Sequence, residues 1–129
     1  MQLNELKVLI CDDSILVRKK FKDIIMTLGC SEVFEATDGQ QAIDIYKEQN
    51  PDLVFMDIVM PVKTGIEALS EIMSHNSNAK VIIVSSIGTN NKLKEAIKIG
   101  AYDFFQKPID EDQLKKIIMN YIDKENQIW

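Results

Sequence analysis

The chain has 129 residues, of which 46% are hydrophobic and 27% are charged, and its net charge is −5. This length and composition fit one globular domain with a sizeable core. The negative charge argues against direct binding to nucleic acid or to an anionic membrane surface, and no apolar run approaches a membrane span. Cys11 and Cys30 are too few for a disulfide framework or a zinc site. The N-terminus lacks a signal-peptide core, so we expect a cytoplasmic protein.

Five short runs enriched in apolar residues predict β-strands. Some of them are uninterrupted, as in Val8–Ile10 and Val81–Val84, and such stretches are typical of strands buried on both faces. These stretches indicate a sheet that other elements cover on both sides. The predicted strands are Lys7–Cys11, Glu32–Ala36, Leu53–Met56, Lys80–Val84 and Asp103–Gln106.

Between and after the strands, apolar residues recur at spacings of three and four, which predicts five amphipathic helices. Gly29 stops the first helix, and Asn50-Pro51 closes the second. Asp110, with Gln113 three residues later, resembles a capping box at the start of the fifth. The apolar markers of the helices are Val17, Phe21, Ile24, Ile25 and Leu28; Ala42, Ile43 and Tyr46; Ile66, Leu69, Ile72 and Met73; Leu93, Ala96 and Ile97; and Leu114, Ile117, Ile118, Tyr121 and Ile122.

The regular alternation of strand and helix predicts a single α/β domain over residues 1–129. Parallel strands joined by right-handed crossovers place helices on both faces of the sheet. The predicted fold class is therefore a doubly wound, five-stranded parallel sheet with five helices. Because the carboxyl ends of parallel strands share one edge, residues that follow different strands are expected to meet there.

Charged residues follow three of the predicted strands. Asp12-Asp13 come after the first strand, Asp57 after the third, and Lys107-Pro108 after the fifth. They are expected to converge in the crevice where open α/β sheets bind ligands. Three crowded carboxylates repel one another, and a divalent cation relieves that cost. Because Mg²⁺ prefers an all-oxygen shell, these residues predict a Mg²⁺ site with a lysine beside it.

Four motifs in this order resemble the receiver domain of two-component response regulators. They are Asp12-Asp13, the segment Asp57–Gly65, Ser85 and Lys107-Pro108, each at a predicted strand end. The resemblance covers essentially the whole chain and implies the strand order 2-1-3-4-5 of the flavodoxin-like sheet. It also implies a signalling switch that is activated by phosphorylation, and not a conventional enzyme.

The resemblance assigns a role to each acidic residue of the crevice. Asp57 is expected to accept a phosphoryl group from a histidine kinase, forming an acyl phosphate. Asp12 and Asp13 are expected to hold Mg²⁺ together with Asp57 and the backbone carbonyl of Val59. An alternative or additional role for Asp13 is to cap the helix that begins near Ser14.

Three further residues are expected to respond to phosphorylation. Lys107 pairs with Asp57 beforehand and contacts the phosphoryl oxygens afterwards, and a cis peptide before Pro108 turns it into the crevice. Ser85 donates to the phosphate, and Phe104 moves between exposed and buried positions. The alternatives are a turn or capping role for Ser85 and a core position for Phe104. In the family, the output surface comprises the fourth helix, the fifth strand and the fifth helix.

Other positions refine the resemblance. Val59 and Ile87 are apolar where rapidly dephosphorylating relatives carry polar groups that orient water, so we predict slow self-dephosphorylation. Lys63 is a charge at a loop position that is often apolar in relatives, and it is expected to affect kinase docking or the loop itself. The stretch Gly88–Asn90 resembles chemotaxis members from some bacteria.

The leading function is a switch that a sensor histidine kinase or histidine phosphotransfer protein activates and that signals to a flagellar motor switch protein. A separate phosphatase is a further expected partner. The alternatives are a phosphorelay intermediate and the receiver part of a larger transcriptional regulator. One enzyme class and one flavin-binding class fit poorly. Haloacid-dehalogenase phosphatases need a second Asp where Val59 stands, and flavodoxins need a Ser-, Thr- and Gly-rich phosphate loop, which is missing after the first strand.

Overall fold

The computed structural model describes residues 1–86 and 90–127. Ile87, Gly88 and Thr89, on which two of the expectations depend, lie outside the described residues. The elements are β1 (Lys7–Cys11), α1 (Ile15–Leu28), β2 (Glu32–Ala36), α2 (Gly39–Gln49), β3 (Leu53–Asp57), α3 (Gly65–His75), β4 (Val81–Ser85), α4 (Asn90–Ile99), β5 (Asp103–Gln106) and α5 (Glu111–Glu125), with a 3-10 turn at Leu3–Glu5. The five strands form one parallel sheet in the order β2-β1-β3-β4-β5, as expected.

Three strands have the predicted bounds, and two differ by one residue. β3 extends to Asp57, and β4 runs from Val81 to Ser85, one residue later than predicted. The difference arises because pairing with the neighbouring strand continues past the apolar run: Asp57 pairs with Val84, and Ser85 pairs with Gln106. Both polar side chains therefore belong to hydrogen-bonded strand ends.

Apolar layers cover both faces of the sheet. Leu9 of β1 belongs to the layer under α2 and α3, and Ile10 belongs to the layer under α1 and α5. In the second layer, the Phe21 ring centroid lies 5.4 Å from that of Phe55 and 5.9 Å from that of Phe105. Burial of each such side chain contributes about 1.5–3 kcal/mol. These rings hold α1 against β3 and β5, the strands whose ends carry the predicted site.

The helix ends mostly follow the predicted stops and caps. Gly29 (φ 128°) ends α1, Asn50 (φ 48°) ends α2, and the Asp110 side chain accepts hydrogen bonds from the first turn of α5. One apolar marker is wrong: Ile97 is 57% exposed, because α4 packs through Ala96, and the next residue lies about 100° further around the helix. In the part of the chain that the structure describes, no helix is long and apolar enough to cross a membrane.

Candidate functional site

Three carboxylates meet at the carboxyl edge of the sheet. Asp12 directly follows β1, Asp13 comes next, and Asp57 is the last residue of β3, the neighbour of β1. One carboxylate oxygen from each lies within 4.8 Å of the others. Asp12 and Asp57 are only 2% and 5% exposed, whereas Asp13 is exposed. The crevice therefore combines two desolvated carboxylates with a third that solvent reaches.

The ammonium of Lys107 contacts both buried carboxylates. Its Nζ lies 2.9 Å from Asp12 Oδ2 and donates a hydrogen bond to Asp57 Oδ2 at 3.2 Å. The backbone N–H of Lys107 donates to the Ser85 carbonyl at 2.8 Å, and the peptide before Pro108 is cis, as expected. The expected pair with Asp57 is present, and Asp12 is a second partner that the sequence pattern did not indicate.

Burial and charge shift the pKa values of the paired groups. Burial raises the pKa of Asp57; Lys107 opposes this rise, and the Asp12 carboxylate adds to it. For Lys107, burial acts to lower the pKa, but the carboxylates of Asp12 and Asp57 outweigh burial and raise it. The lysine is therefore held in its charged form, while ionisation of Asp57 is made more costly.

The acidic cluster fits a divalent cation. Asp12 Oδ2 is buried and accepts no well-aligned hydrogen bond from the described residues, although the Lys107 ammonium lies 2.9 Å away. A buried polar atom of this kind costs free energy unless a further partner reaches it. Clustered carboxylate oxygens with surplus negative charge are the donor set that hard cations such as Mg²⁺ prefer.

The turn after β1 holds Asp12 through its backbone and its side chain. The N–H of Asp12 donates to the Ala36 carbonyl at 3.1 Å, and Asp12 Oδ1 accepts from the Ser14 N–H at 2.8 Å. The Ser14 hydroxyl caps α1 by accepting from the Val17 N–H at 3.3 Å. The alternative interpretation of Asp13 as the helix cap is therefore wrong, because the hydroxyl one residue later occupies that position.

Close backbone approach shapes the turn after Asp57. The Gly65 N–H donates to the Ile58 carbonyl at 2.8 Å, and a Cβ on Gly65 would lie 2.0 Å from the Asp57 carbonyl oxygen. Only glycine fits there, which accounts for the last residue of the Asp57–Gly65 motif. The Val59 N–H contacts Asp57 Oδ1 at 3.4 Å, and the Val59 side chain is 61% exposed. The role of the Val59 carbonyl remains a prediction.

Ser85 and Phe104 lie on the two strands beyond β3. Ser85 is buried at the end of β4, and its carbonyl accepts the Lys107 N–H. Phe104 is 48% exposed, whereas Phe105 is fully buried against Phe21. The alternative of a core position for Phe104 is wrong: successive residues of a strand point to opposite faces, and the structure buries Phe105. The switching roles of Ser85 and Phe104 stay predictions.

A buried arginine that the sequence pattern did not single out lies behind the acidic cluster. Arg18 Nη1 donates to the Asp12 carbonyl at 2.7 Å, and Arg18 Nε donates to Glu35 Oε1 at 3.1 Å. A sequence cue existed, since Arg18 lies between the apolar helix markers Val17 and Phe21. A cation in such a position needs a partner when it is buried.

The β3–α3 turn contains a strained residue and a paired lysine. Val62 has φ 68°, which is unusual for a β-branched residue, and the Lys63 N–H donates to the Pro61 carbonyl at 2.8 Å. Together these features define the rarer, positive-φ form of a γ-turn. The Lys63 ammonium forms an ion pair with Glu71 of α3. Lys63 thus tethers this turn to the following helix; its effect on kinase docking remains a prediction.

Comparison with known proteins identifies the family. Residues 8–119 match the response regulator receiver domain. This range includes all three carboxylates of the cluster and the lysine that contacts two of them. The chain therefore belongs to the receiver domain family of response regulators, as the resemblance implied.

Chemotaxis proteins are among the similar sequences and structures. The chain is 45% identical to the chemotaxis protein CheY of Thermotoga maritima over 108 residues, covering 84% of this chain and 90% of that protein. It is 33% identical to the sporulation initiation phosphotransferase F of Bacillus subtilis, covering 93% and 95% of the two chains. A chain in the crystal structure of the CheX–CheY–BeF3–Mg complex from Borrelia burgdorferi matches with 35% identity and a TM-score of 0.84, covering 91% and 89%. The chain is thus CheY-like, with similarity to receivers of more than one pathway.

Proposed function

We propose that this receiver is a chemotaxis-type switch in which Asp57 accepts the phosphoryl group of a phosphohistidine. The observation that carries the proposal is the cluster of Asp12, Asp13 and Asp57 with the Lys107 ammonium bound to two of its carboxylates. The 45% identity to a chemotaxis protein supports the pathway. The donor is a sensor histidine kinase or a histidine phosphotransfer protein.

The proposed reaction moves one phosphoryl group between two side chains. A carboxylate oxygen of Asp57 attacks the phosphorus, the P–N bond to the donor imidazole breaks as the P–O bond forms, and the imidazole takes up a proton. Mg²⁺ held by Asp12, Asp13, Asp57 and the Val59 carbonyl would offset the charge on the phosphoryl oxygens. Lys107, 3.2 Å from Asp57 Oδ2, is placed to move onto those oxygens after transfer.

The proposed output is a change in the surface formed by α4, β5 and α5. The Ser85 hydroxyl donates to the phosphoryl group, and Phe104, which is 48% exposed before activation, moves inward. Ile97 and Met119 are further exposed apolar side chains on these elements. The resulting surface is proposed to bind a flagellar motor switch protein.

Loss of the phosphoryl group is proposed to be slow. Val59 exposes an apolar side chain beside Asp57, and a valine cannot orient an attacking water. A CheX-like phosphatase is the proposed partner for deactivation, supported by the complex that a similar chain forms with CheX. In this proposal the protein is cytoplasmic and catalyses only its own phosphorylation and dephosphorylation.

Two phosphorylation-dependent interactions test the pathway. Protein activated with beryllofluoride and Mg²⁺ is titrated against a flagellar motor switch protein, with Asp57→Ala as the inactive control. We expect binding that requires activation. Transfer of the phosphoryl group to a histidine phosphotransfer protein without motor-protein binding would instead favour a phosphorelay intermediate, for which the similarity to sporulation initiation phosphotransferase F is the supporting observation.

A further inference from the structure

We infer that Arg18, braced by Glu35, positions Asp12 for divalent-cation binding. The inference rests on the proposed function, because it concerns the cation affinity of the same acidic cluster. Arg18 donates to the backbone carbonyl of Asp12, so it acts through that residue as a positioning residue.

The guanidinium of Arg18 bridges two elements of the fold. Its Nη1 lies 2.7 Å from the Asp12 carbonyl oxygen, and its Nε lies 3.1 Å from Glu35 Oε1 on β2. Arg18 is 8% exposed, so water competes little for these donors. Because the guanidinium is planar and its donors have fixed directions, the two bonds together determine its orientation. The bridge therefore fixes the position of the Asp12 carbonyl relative to β2.

The bridge completes a clamp around Asp12. The N–H of Asp12 donates to the Ala36 carbonyl, the Asp12 carbonyl accepts from Arg18, and Asp12 Oδ1 accepts from the Ser14 N–H. The remaining oxygen, Oδ2, is buried, accepts no well-aligned hydrogen bond from residues 1–86 and 90–127, and faces the Lys107 ammonium. With the other three groups occupied, the clamp determines where Oδ2 points. Residues that orient a metal-binding carboxylate typically affect metal affinity about 10–100-fold.

Glu35 also balances the charge of the arginine. An uncompensated guanidinium behind the cluster would repel a cation, because charges interact strongly where water is excluded. Lys22 Nζ lies 3.7 Å from Glu35 Oε2, and the Lys22 side chain is 40% exposed. Lys22 thus shares the same carboxylate from a more solvated position, which makes it a matched control for Arg18.

The test is the dissociation constant for Mg²⁺ in the unphosphorylated protein, measured by NMR from amide shifts. Arg18→Met keeps most of the side-chain length and removes both donors, and we expect it to weaken Mg²⁺ binding about tenfold. Arg18→Lys should recover part of the loss, and Glu35→Gln should show a smaller loss in the same direction. Lys22→Met should bind Mg²⁺ with wild-type affinity.

The outcomes separate positioning from a general structural role. Melting temperatures without cation report stability, and a purely structural role would lower them without changing the affinity of the folded protein. Wild-type Mg²⁺ affinity in folded Arg18→Met overturns the inference and leaves the proposed function intact. If Arg18→Met does not fold, wild-type Mg²⁺ affinity in Glu35→Gln overturns it instead. An equal loss in Lys22→Met also overturns it. Absence of Mg²⁺ binding in the wild-type protein would overturn the proposed function, and this inference with it.

Discussion

The Lys107 ammonium lies 3.2 Å from Asp57 Oδ2, although the two residues are 50 positions apart and their strands are separated by β4. The same ammonium lies 2.9 Å from Asp12 Oδ2. One cation thus links the ends of β1, β3 and β5. This arrangement offsets two buried negative charges and keeps the ammonium that is proposed to bind the phosphoryl group beside the proposed nucleophile.

Replacing Lys107 with methionine is expected to slow phosphorylation of Asp57 by acetyl phosphate about 100-fold, because one donor to developing oxyanion charge contributes about 10²–10³ in rate. The rate is followed by intact mass. Lys115→Met is the control, since the Lys115 ammonium pairs with Glu111 on the surface of α5, at 3.2 Å. Phosphorylation of Lys107→Met at the wild-type rate would exclude the proposed role.

Asp57→Asn is expected to stabilise the folded protein at neutral pH. Burial raises the pKa of Asp57 in the folded state, so between the unfolded carboxyl value of about 3.9 and the raised value the folded protein binds more protons than the unfolded protein. The free energy of unfolding of the wild type therefore falls as the pH rises through that window, and the deficit persists above it. The amide in Asp57→Asn does not titrate, so the free energy of unfolding of this variant does not fall in that window.

Urea unfolding at a series of pH values measures this effect. The free energies of unfolding of wild type and Asp57→Asn should be similar below the window and should diverge through it. Asp123→Asn, at an exposed position of α5, should follow the wild type. A less stable Asp57→Asn at neutral pH would mean that the contact with Lys107 outweighs the cost of burying the carboxylate.

Val62→Gly is expected to increase the free energy of unfolding by about 1 kcal/mol, because it relieves backbone strain of about 1–3 kcal/mol at the cost of glycine's greater entropy in the unfolded chain. Val62 has φ 68° and is 77% exposed, so little packing is lost. Val62→Ala keeps the Cβ and should gain less. Destabilisation by glycine in urea unfolding would show that the turn is not strained.

Val59→Asn is expected to shorten the half-life of the phosphorylated protein about tenfold, the effect of one hydrogen bond of about 1.4 kcal/mol that orients the attacking water. Val59 is 61% exposed beside Asp57, so an amide fits without disturbing the core. Val62→Asn makes the same chemical change at another exposed position of this turn and should leave the half-life unchanged. An unaltered half-life in Val59→Asn would contradict the proposal that dephosphorylation is slow because position 59 lacks a polar group to orient water.

The elements of the fold followed from local pattern, while the strand order came from the family resemblance. The bounds of β3 and β4 were each misplaced by one residue, because polarity suggested that the strands stop before Asp57 and Ser85. Backbone pairing depends on the neighbouring strand, not on side-chain polarity. Phe104 and Phe105 are the same residue type, so the sequence does not show which of them faces the core. The structure shows that it is Phe105.

Convergence of the carboxylates was predictable, because parallel strands with a shared edge bring their ends together. The contacts around Asp12 were not. Its pairing with Lys107 and its support by Arg18 depend on distances between side chains of different elements. The pattern of a single sequence reports the spacing of residues within one element, not contacts between elements. The bridge from Arg18 on α1 to Glu35 on β2 is therefore indicated only weakly, by a cation among apolar positions.

The central claim, that Asp57 is a Mg²⁺-dependent phosphoacceptor, is tested most directly by intact mass after incubation with acetyl phosphate and Mg²⁺. Asp57→Ala and an EDTA-treated sample serve as controls. We predict one phosphoryl adduct that requires Mg²⁺ and is absent from Asp57→Ala. An adduct that persists in Asp57→Ala, or no adduct on folded wild-type protein that binds Mg²⁺, would contradict the claim.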